Sequence, residues 1–293
     1  MMTADGVWQQ IFSFDNYSEL LALVRNSLIA GAALGLIGGL VGVFVIMRDL
    51  PFAVHGISEL SFAGASAALL LGVNIVAGSI VGSLIAAGTI GVLGSRARDR
   101  NSVIGIIMPF GLGLGVLFLA LYKGRAANKF GLLTGQIVAV DTPQMTWLLG
   151  TSALVLIALA VIWRPLTFAS ADPEVAEARG VPIRALSFAF MVVLGLAVAL
   201  SVQIVGALLV LALLVTPAAA AARITASPVL LPVLSVVFAV ASIEGGILLA
   251  LGSSIPISPY VTTISFTIYV VCRLAGAYRT RRWGARRTAP QPA

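Results

Sequence analysis

Apolar runs of roughly 20 residues recur along this chain from residue 26 to residue 276. Each is long enough to cross about 30 Å of hydrocarbon as a helix. The runs lie near 26–47, 53–72, 74–94, 103–122, 144–163, 185–202, 205–222, 228–250 and 259–276. Charged residues make up only 10% of the 293 positions and hydrophobic ones 59%, whereas a soluble domain carries roughly 25% charge. The pattern specifies an all-α polytopic membrane protein of about nine transmembrane helices. Eight are possible, because several connections are short enough for adjacent spans to be broken or re-entrant. The stretch ALSVQIVGALL, with Ser201, Gln203 and Gly206, is one such place. Irregular backbone at membrane depth is tolerated only where protein buries it or a cavity receives it.

Basic residues set the orientation. With the N-terminus outside and nine spans, only Arg25, Lys123, Arg125 and Lys129 face outward; the other 14 of the 18 Lys and Arg residues face the cytoplasm. The net charge of +7 therefore reflects topology and not nucleic-acid affinity. Three regions follow: an extracytoplasmic segment at 1–25, a transmembrane domain at 26–276 with a cytoplasmic loop at 164–184, and a basic cytoplasmic tail at 277–293. Asp5, Asp15 and Glu19 in the first segment argue against a signal peptide. The single cysteine, Cys272, cannot form an intramolecular disulfide.

Two ionisable residues interrupt the second apolar run. His55, the single histidine, and Glu59 are four residues apart in HGISELSFAGASAALLLG, and so share one helix face. An imidazole and a carboxylate together suit a borderline divalent cation such as zinc, manganese or ferrous iron. Ionisable groups within a membrane span mark an ion or substrate path by default. The alternative is an interfacial His55 with Glu59 paired to a nearby cation such as Arg48. Glu244, beside Gly245 and Gly246 in the eighth run, is a further path-lining candidate. Ser201, Gln203, Thr216 and Pro217 are possible hinge or path residues; Pro217 removes a helix hydrogen bond and should bend the seventh span.

The loop RPLTFASADPEVAEARGVPIRAL encodes a short helix over 173–179. Asp172 is its N-cap, Pro173 occupies the first helical position, Glu174 favours the dipole, and Gly180 followed by Pro182 ends it. Such a rigid element can receive motion from a separate ATPase, and Ala176 and Ala178 would allow close packing in a cleft. The chain lacks the pattern G-x-x-x-x-G-K-[ST], so any ATP is hydrolysed by another polypeptide and the chain is not itself an enzyme. The residues alone leave open a proton-driven secondary metal transporter using Glu59 and Glu244, a permease for a larger chelate, and a non-transporting scaffold.

The segment from ADPEVAEARG through SVQIVGALLVLALLVTPAAAAARI resembles the hallmark region of ABC-type zinc/manganese/iron uptake permeases, the ZnuB-like family. GVFVIMRDLPFAVHGISELSFAGASAALLLG is similar to that family's first loop and second span, and KFGLLTGQIVAVDTPQ to its central loop. The resemblance covers roughly residues 26–276. It implies a homodimer in the bacterial cytoplasmic (inner) membrane, two copies of a cytosolic ATP-binding subunit, and an extracytoplasmic metal-binding protein. It also implies that Asp172, Pro173, Glu174, Ala176 and Gly180 belong to the coupling helix. The transported Zn²⁺, or Mn²⁺ or Fe²⁺, is cargo, and no cofactor is expected to be bound permanently. One departure stands out. The family usually shows Gly-Asp-Ala-x-Ser-His at the metal pair; here His55 falls at the Asp position and Glu59 at the His position, so carboxylate and imidazole have changed places.

Overall fold

The computed structural model describes residues 24–94, 97–124, 131–132, 142–251 and 256–287. Most of the 1–25 segment and of the central Phe-Gly loop, and the last residues of the tail, lie outside them. Among the described residues every regular element is helical: α1 (Arg25–Met47), α2 (Pro51–Leu71), α3 (Ile75–Leu93), α4 (Ala97–Leu121), α5 (Thr142–Ala171), α6 (Pro173–Ala178), α7 (Ile183–Val205), α8 (Val210–Leu214), α9 (Thr216–Ile224), α10 (Leu230–Leu251) and α11 (Ile257–Arg287). Eight of these, α1 to α5, α7, α10 and α11, are long and apolar enough to cross a bilayer.

The seventh expected span, 205–222, is not a continuous helix. Gly206 sits at φ 87, ψ 155 and ends α7, a backbone region essentially reserved for glycine. A single 3-10 turn, Ala207–Leu209, and the five residues of α8 follow. Pro217 does not bend a long helix but helps to start a new one, α9, because its ring nitrogen cannot donate to the preceding turn. Glycines of α1 receive the interrupted backbone: a Cβ on Gly42 would lie 2.1 Å from the Leu214 carbonyl oxygen, and one on Gly38 3.3 Å from that of Leu213. Small residues allow this approach, and irregular backbone at depth requires such cover.

The broken segment still carries the chain from one end of the bundle to the other. It runs alongside α11 in the same direction: Ser258 donates to the Val205 carbonyl, Ser265 to the Ala212 carbonyl, and Arg279 to the Ile224 carbonyl. α11 continues to Arg287, so much of the polar stretch expected as a tail from 277 is helical. α5 likewise runs through Pro165 to Ala171, beyond the expected end near 163.

Glycine stripes set the closest helix contacts. On α1, added Cβ atoms at Gly35 and Gly39 would stand 2.8 Å and 2.5 Å from the Cα atoms of Val240 and Val236 on α10. Ser235 fastens the same interface by donating to the Gly39 carbonyl at 2.7 Å. α2 meets α3 through Gly64, Gly78 and Gly82, where a Cβ on Gly64 would lie 2.2 Å from the Gly78 carbonyl oxygen. The Ser61 and Ser79 hydroxyls hydrogen-bond there at 2.7 Å. Such bonds average about 0.6 kcal/mol between membrane helices, so shape supplies most of the specificity. Phe44, Trp163 and Phe190 join α1, α5 and α7 by edge-to-face contacts, with ring centroids 4.8 Å and 5.8 Å from Phe44. Large apolar side chains such as Phe52, Ile106, Phe110 and Val161 remain on the outside, as a lipid-facing surface requires.

Candidate functional site

α2 carries the paired ionisable groups. Its start is set by Pro51 in the first turn, and its end by Gly72 at φ 71. At about 1.5 Å rise per residue, Glu59 sits about 12 Å from the first residue of α2 and about 18 Å from the last. The pair thus lies inside the span, in the half nearer Arg48. His55 Nε2 and Glu59 Oε1 are 3.6 Å apart, and the two side chains are 31% and 7% exposed. The helical period alone brings them together. Neighbouring helices then fix the ladder on which they stand: Gly111 of α4 lies so close that a Cβ would be 2.9 Å from the backbone carbon of Glu59. Ser58 donates to the His55 carbonyl at 2.8 Å.

Arg48 is not the partner of Glu59. Its guanidinium turns to the hydroxyls of Ser170 and Ser187, at the end of α5 and the start of α7, and lies 5.9 Å from the centre of the Phe190 ring. Among the described residues no group of three or more His, Cys, Asp or Glu side chains could hold a metal ion. Among the described residues the pair thus stands as one imidazole and one carboxylate, with the His55 side chain 31% exposed.

Glu244 stands apart from this pair, on α10. It faces Gly31 of α1, where an added Cβ would lie 2.9 Å from its Oε1, and that oxygen is buried without a hydrogen-bond partner. Gln203 donates to the Ile75 carbonyl at 3.2 Å and so ties the end of α7 to the start of α3. Ser201 is buried and donates within its own helix to Ala197. Thr216 and Pro217 open α9. Among the described residues no hydrogen bond joins any of these four residues to the His55–Glu59 pair.

The short helix forms where its capping signals place it. Asp172 accepts from the Val175 N–H at 3.0 Å, and Pro173 and Glu174 occupy the first turn. At the other end Gly180 has φ 81. The Val181 N–H donates to the Ala176 carbonyl at 3.0 Å and the Gly180 N–H to that of Glu177 at 2.9 Å, the paired bonds of a Schellman ending. Helix α6 is one residue shorter than the expected 173–179, with Arg179 as its C-cap. Its faces differ from the sequence expectation in one respect. Ala176 is fully buried against the protein, so it anchors α6 and cannot enter a partner's cleft. The outward face is Glu174, Val175, Glu177, Ala178 and Arg179, with Val175 43% exposed. Val175, an apolar residue exposed between Glu174 and Glu177, was not among the sequence candidates.

The family model of the ABC 3 transport family matches residues 21–276. The manganese transport system membrane protein MntC of Halalkalibacterium halodurans is 27% identical over 94% of this chain and 96% of its own length. The manganese import system permease protein ScaB of Streptococcus parasanguinis is 33% identical over 68% of this chain and 71% of its own. The high-affinity zinc uptake system membrane protein ZnuB of Haemophilus influenzae is 28% identical over 86% and 97%. Among solved structures, PsaBC from Streptococcus pneumoniae in complex with Fab superposes with a TM-score of 0.77 and 26% identity, covering 87% of this chain and 95% of that one.

Proposed function

This chain belongs to the ABC 3 transport family, and from that premise we propose that it is the membrane permease subunit of an ATP-driven importer for a divalent transition metal. It is a membrane component and not the ATPase. Both manganese and zinc systems stand among its relatives. We infer zinc as the first cargo to test, because imidazole favours it, while the single carboxylate of the pair serves manganese or iron equally well.

The observation that carries the reading is the His55–Glu59 pair within α2, with Glu59 buried and His55 partly open. Two donors cannot replace a hydration shell. A second copy of the chain placed against α2 would present the same two groups and complete a four-donor cage, so the working unit is a homodimer. A bilayer-spanning path with such a cage replaces the ion's water without a deep trap, provided the pair binds loosely enough to release. The outward face of α6 receives the ATP-binding subunit, and its rigid capping transmits the displacement into α5 and α7. The positive-inside rule puts α6 and the cation-rich ends in the cytoplasm of a bacterial inner membrane, with the metal delivered to the other face by an extracytoplasmic binding protein.

The test is metal accumulation in cells lacking the gene, complemented with wild type or with His55→Ala plus Glu59→Ala, and measured for Zn²⁺, Mn²⁺ and Fe²⁺. Ligand loss should lower uptake of the cargo by about tenfold or more at equal protein level. Undiminished uptake by the double variant would remove the pair from the path. Uptake that persists when the partner ATPase is inactivated would favour the proton-driven alternative.

A further inference from the structure

A second polar feature lies outside the metal path. The end of α1, the end of α3, the first turns of α4 and the start of α7 contribute to a cavity of about 290 Å³ lined by Arg48, Arg100, Arg184 and Ser187, with Gly91 and Gly94 in its wall. Among the described residues, the contact within 4.0 Å between a basic side chain and a carboxylate is His55–Glu59, so none of these three arginines has a described carboxylate partner. The Nε of Arg100 is buried without a hydrogen-bond acceptor. Arg48 is held below the ordinary arginine range, first by burial and then by the charge of Arg100. Its two terminal nitrogens are turned to Ser170 and Ser187, which are hydroxyls and offer no charge.

Three guanidiniums brought to one cavity repel one another, and a buried donor left without an acceptor costs stability. An anion relieves both. The guanidinium fork matches two oxygens of a phosphate. Glycine lets the walls close in: a Cβ on Gly94 would lie 3.0 Å from the Cα and Cβ of Arg100, and one on Gly91 3.0 Å from the Phe188 ring. The wall also points to the source of the anion. Val92, which lines the cavity, is 66% exposed, and Leu93, Ile85 and Val81 continue an exposed apolar strip along α3. A molecule with a phosphate in the cavity and an acyl chain along α3 satisfies both surfaces. Basic pockets between membrane helices bind headgroups in this way.

We propose that this cavity binds the phosphate of an anionic phospholipid headgroup. The site is independent of the metal pair and of the cargo.

The test uses the full-length chain purified in detergent and native mass spectrometry with added phosphatidylglycerol or phosphatidylcholine. Wild type should retain phosphatidylglycerol at least about tenfold better than phosphatidylcholine. Raising NaCl from about 50 to 500 mM should release it, as screening of phosphate contacts requires. Arg100→Gln plus Arg184→Gln should lose the preference, whereas Arg164→Gln, an exposed cation outside the cavity, should keep it. Equal retention of the two lipids by wild type, or an unchanged preference in the double variant, would overturn the proposal; the wild-type comparison holds even if the double variant misfolds. Inorganic phosphate distinguishes the sources. Displacement of the lipid only at high phosphate supports a headgroup site, whereas thermal stabilisation by phosphate with no lipid preference assigns the cavity to free phosphate and overturns the lipid source. Loss of ATP-binding-subunit assembly in the double variant, with lipid retention unchanged, would assign the arginines to a protein partner and overturn it as well.

Discussion

Gly39→Ala tests the close approach of α1 to α10. The added methyl would stand 2.5 Å from Val236 Cα, 2.7 Å from its N and 2.9 Å from its Cγ2, where carbon atoms prefer about 3.5–4.0 Å. Two of those atoms are backbone and cannot rotate away, so α1 and α10 must separate by about 1 Å. Such overpacking costs about 1–3 kcal/mol. Separation also lengthens the 2.7 Å Ser235–Gly39 hydrogen bond and forfeits about 0.6 kcal/mol. Against this, Ala gains about 0.8–1.0 kcal/mol of helix propensity over Gly. Gly88→Ala on α3 isolates that gain, because a Cβ there meets nothing within 4 Å. The propensity cancels between the two variants, and Gly39→Ala should be less stable than Gly88→Ala by about 1.6–3.6 kcal/mol. Reversible unfolding of the purified chain in mixed micelles, followed by tryptophan fluorescence, measures the difference. A gap below about 0.5 kcal/mol would be smaller than the least overpacking term, and would refute the backbone contact between α1 and α10.

Four further outcomes are expected. Exchanging the pair as His55→Asp plus Glu59→His should preserve metal uptake, while either single change lowers it; loss in the exchanged variant as deep as in the singles would show that order matters, read by radiometal accumulation. Metal occupancy of the assembled importer should fall as pH drops from about 7.5 to 5, because the neutral imidazole is the ligand and a free imidazole protonates near pH 6.5; a flat profile excludes His55 as ligand. Asp172→Ala should cost about 1 kcal/mol of capping and reduce permease-stimulated ATP hydrolysis by the partner subunit, with wild-type stimulation refuting transmission through α6. Gly206→Ala forces an L side chain into φ 87, ψ 155, and thermal unfolding should report about 1–3 kcal/mol of strain.

Span lengths were readable because crossing a bilayer is a property of consecutive residues, and observed ends such as Arg25–Met47 and Leu230–Leu251 fall within a few residues of the expected ones. The Asp172 cap and the Gly180 ending were equally readable, since every atom involved lies within a few positions along the chain. The seventh span was harder. Its apolar composition satisfies a continuous helix, whereas the break before Pro217 rests against Gly38 and Gly42 of α1 and the Val205 carbonyl beside Gly206 accepts from Ser258 of α11. Ala176 looked like part of a docking face, yet the choice of which side of α6 to bury was made by the helices behind it.

By itself, then, the order of residues determined what depends on near neighbours: the helical spans, the caps of α6, and the one-turn spacing of His55 and Glu59. The tertiary structure decided what depends on residues distant in sequence. It sent Arg48 to Ser170 and Ser187, more than 120 positions away, instead of to Glu59, and it gathered Arg100 and Arg184 beside it. The physical reason is that helix formation and capping are satisfied within a few residues, whereas a buried charge takes the partners that long-range packing places within its reach.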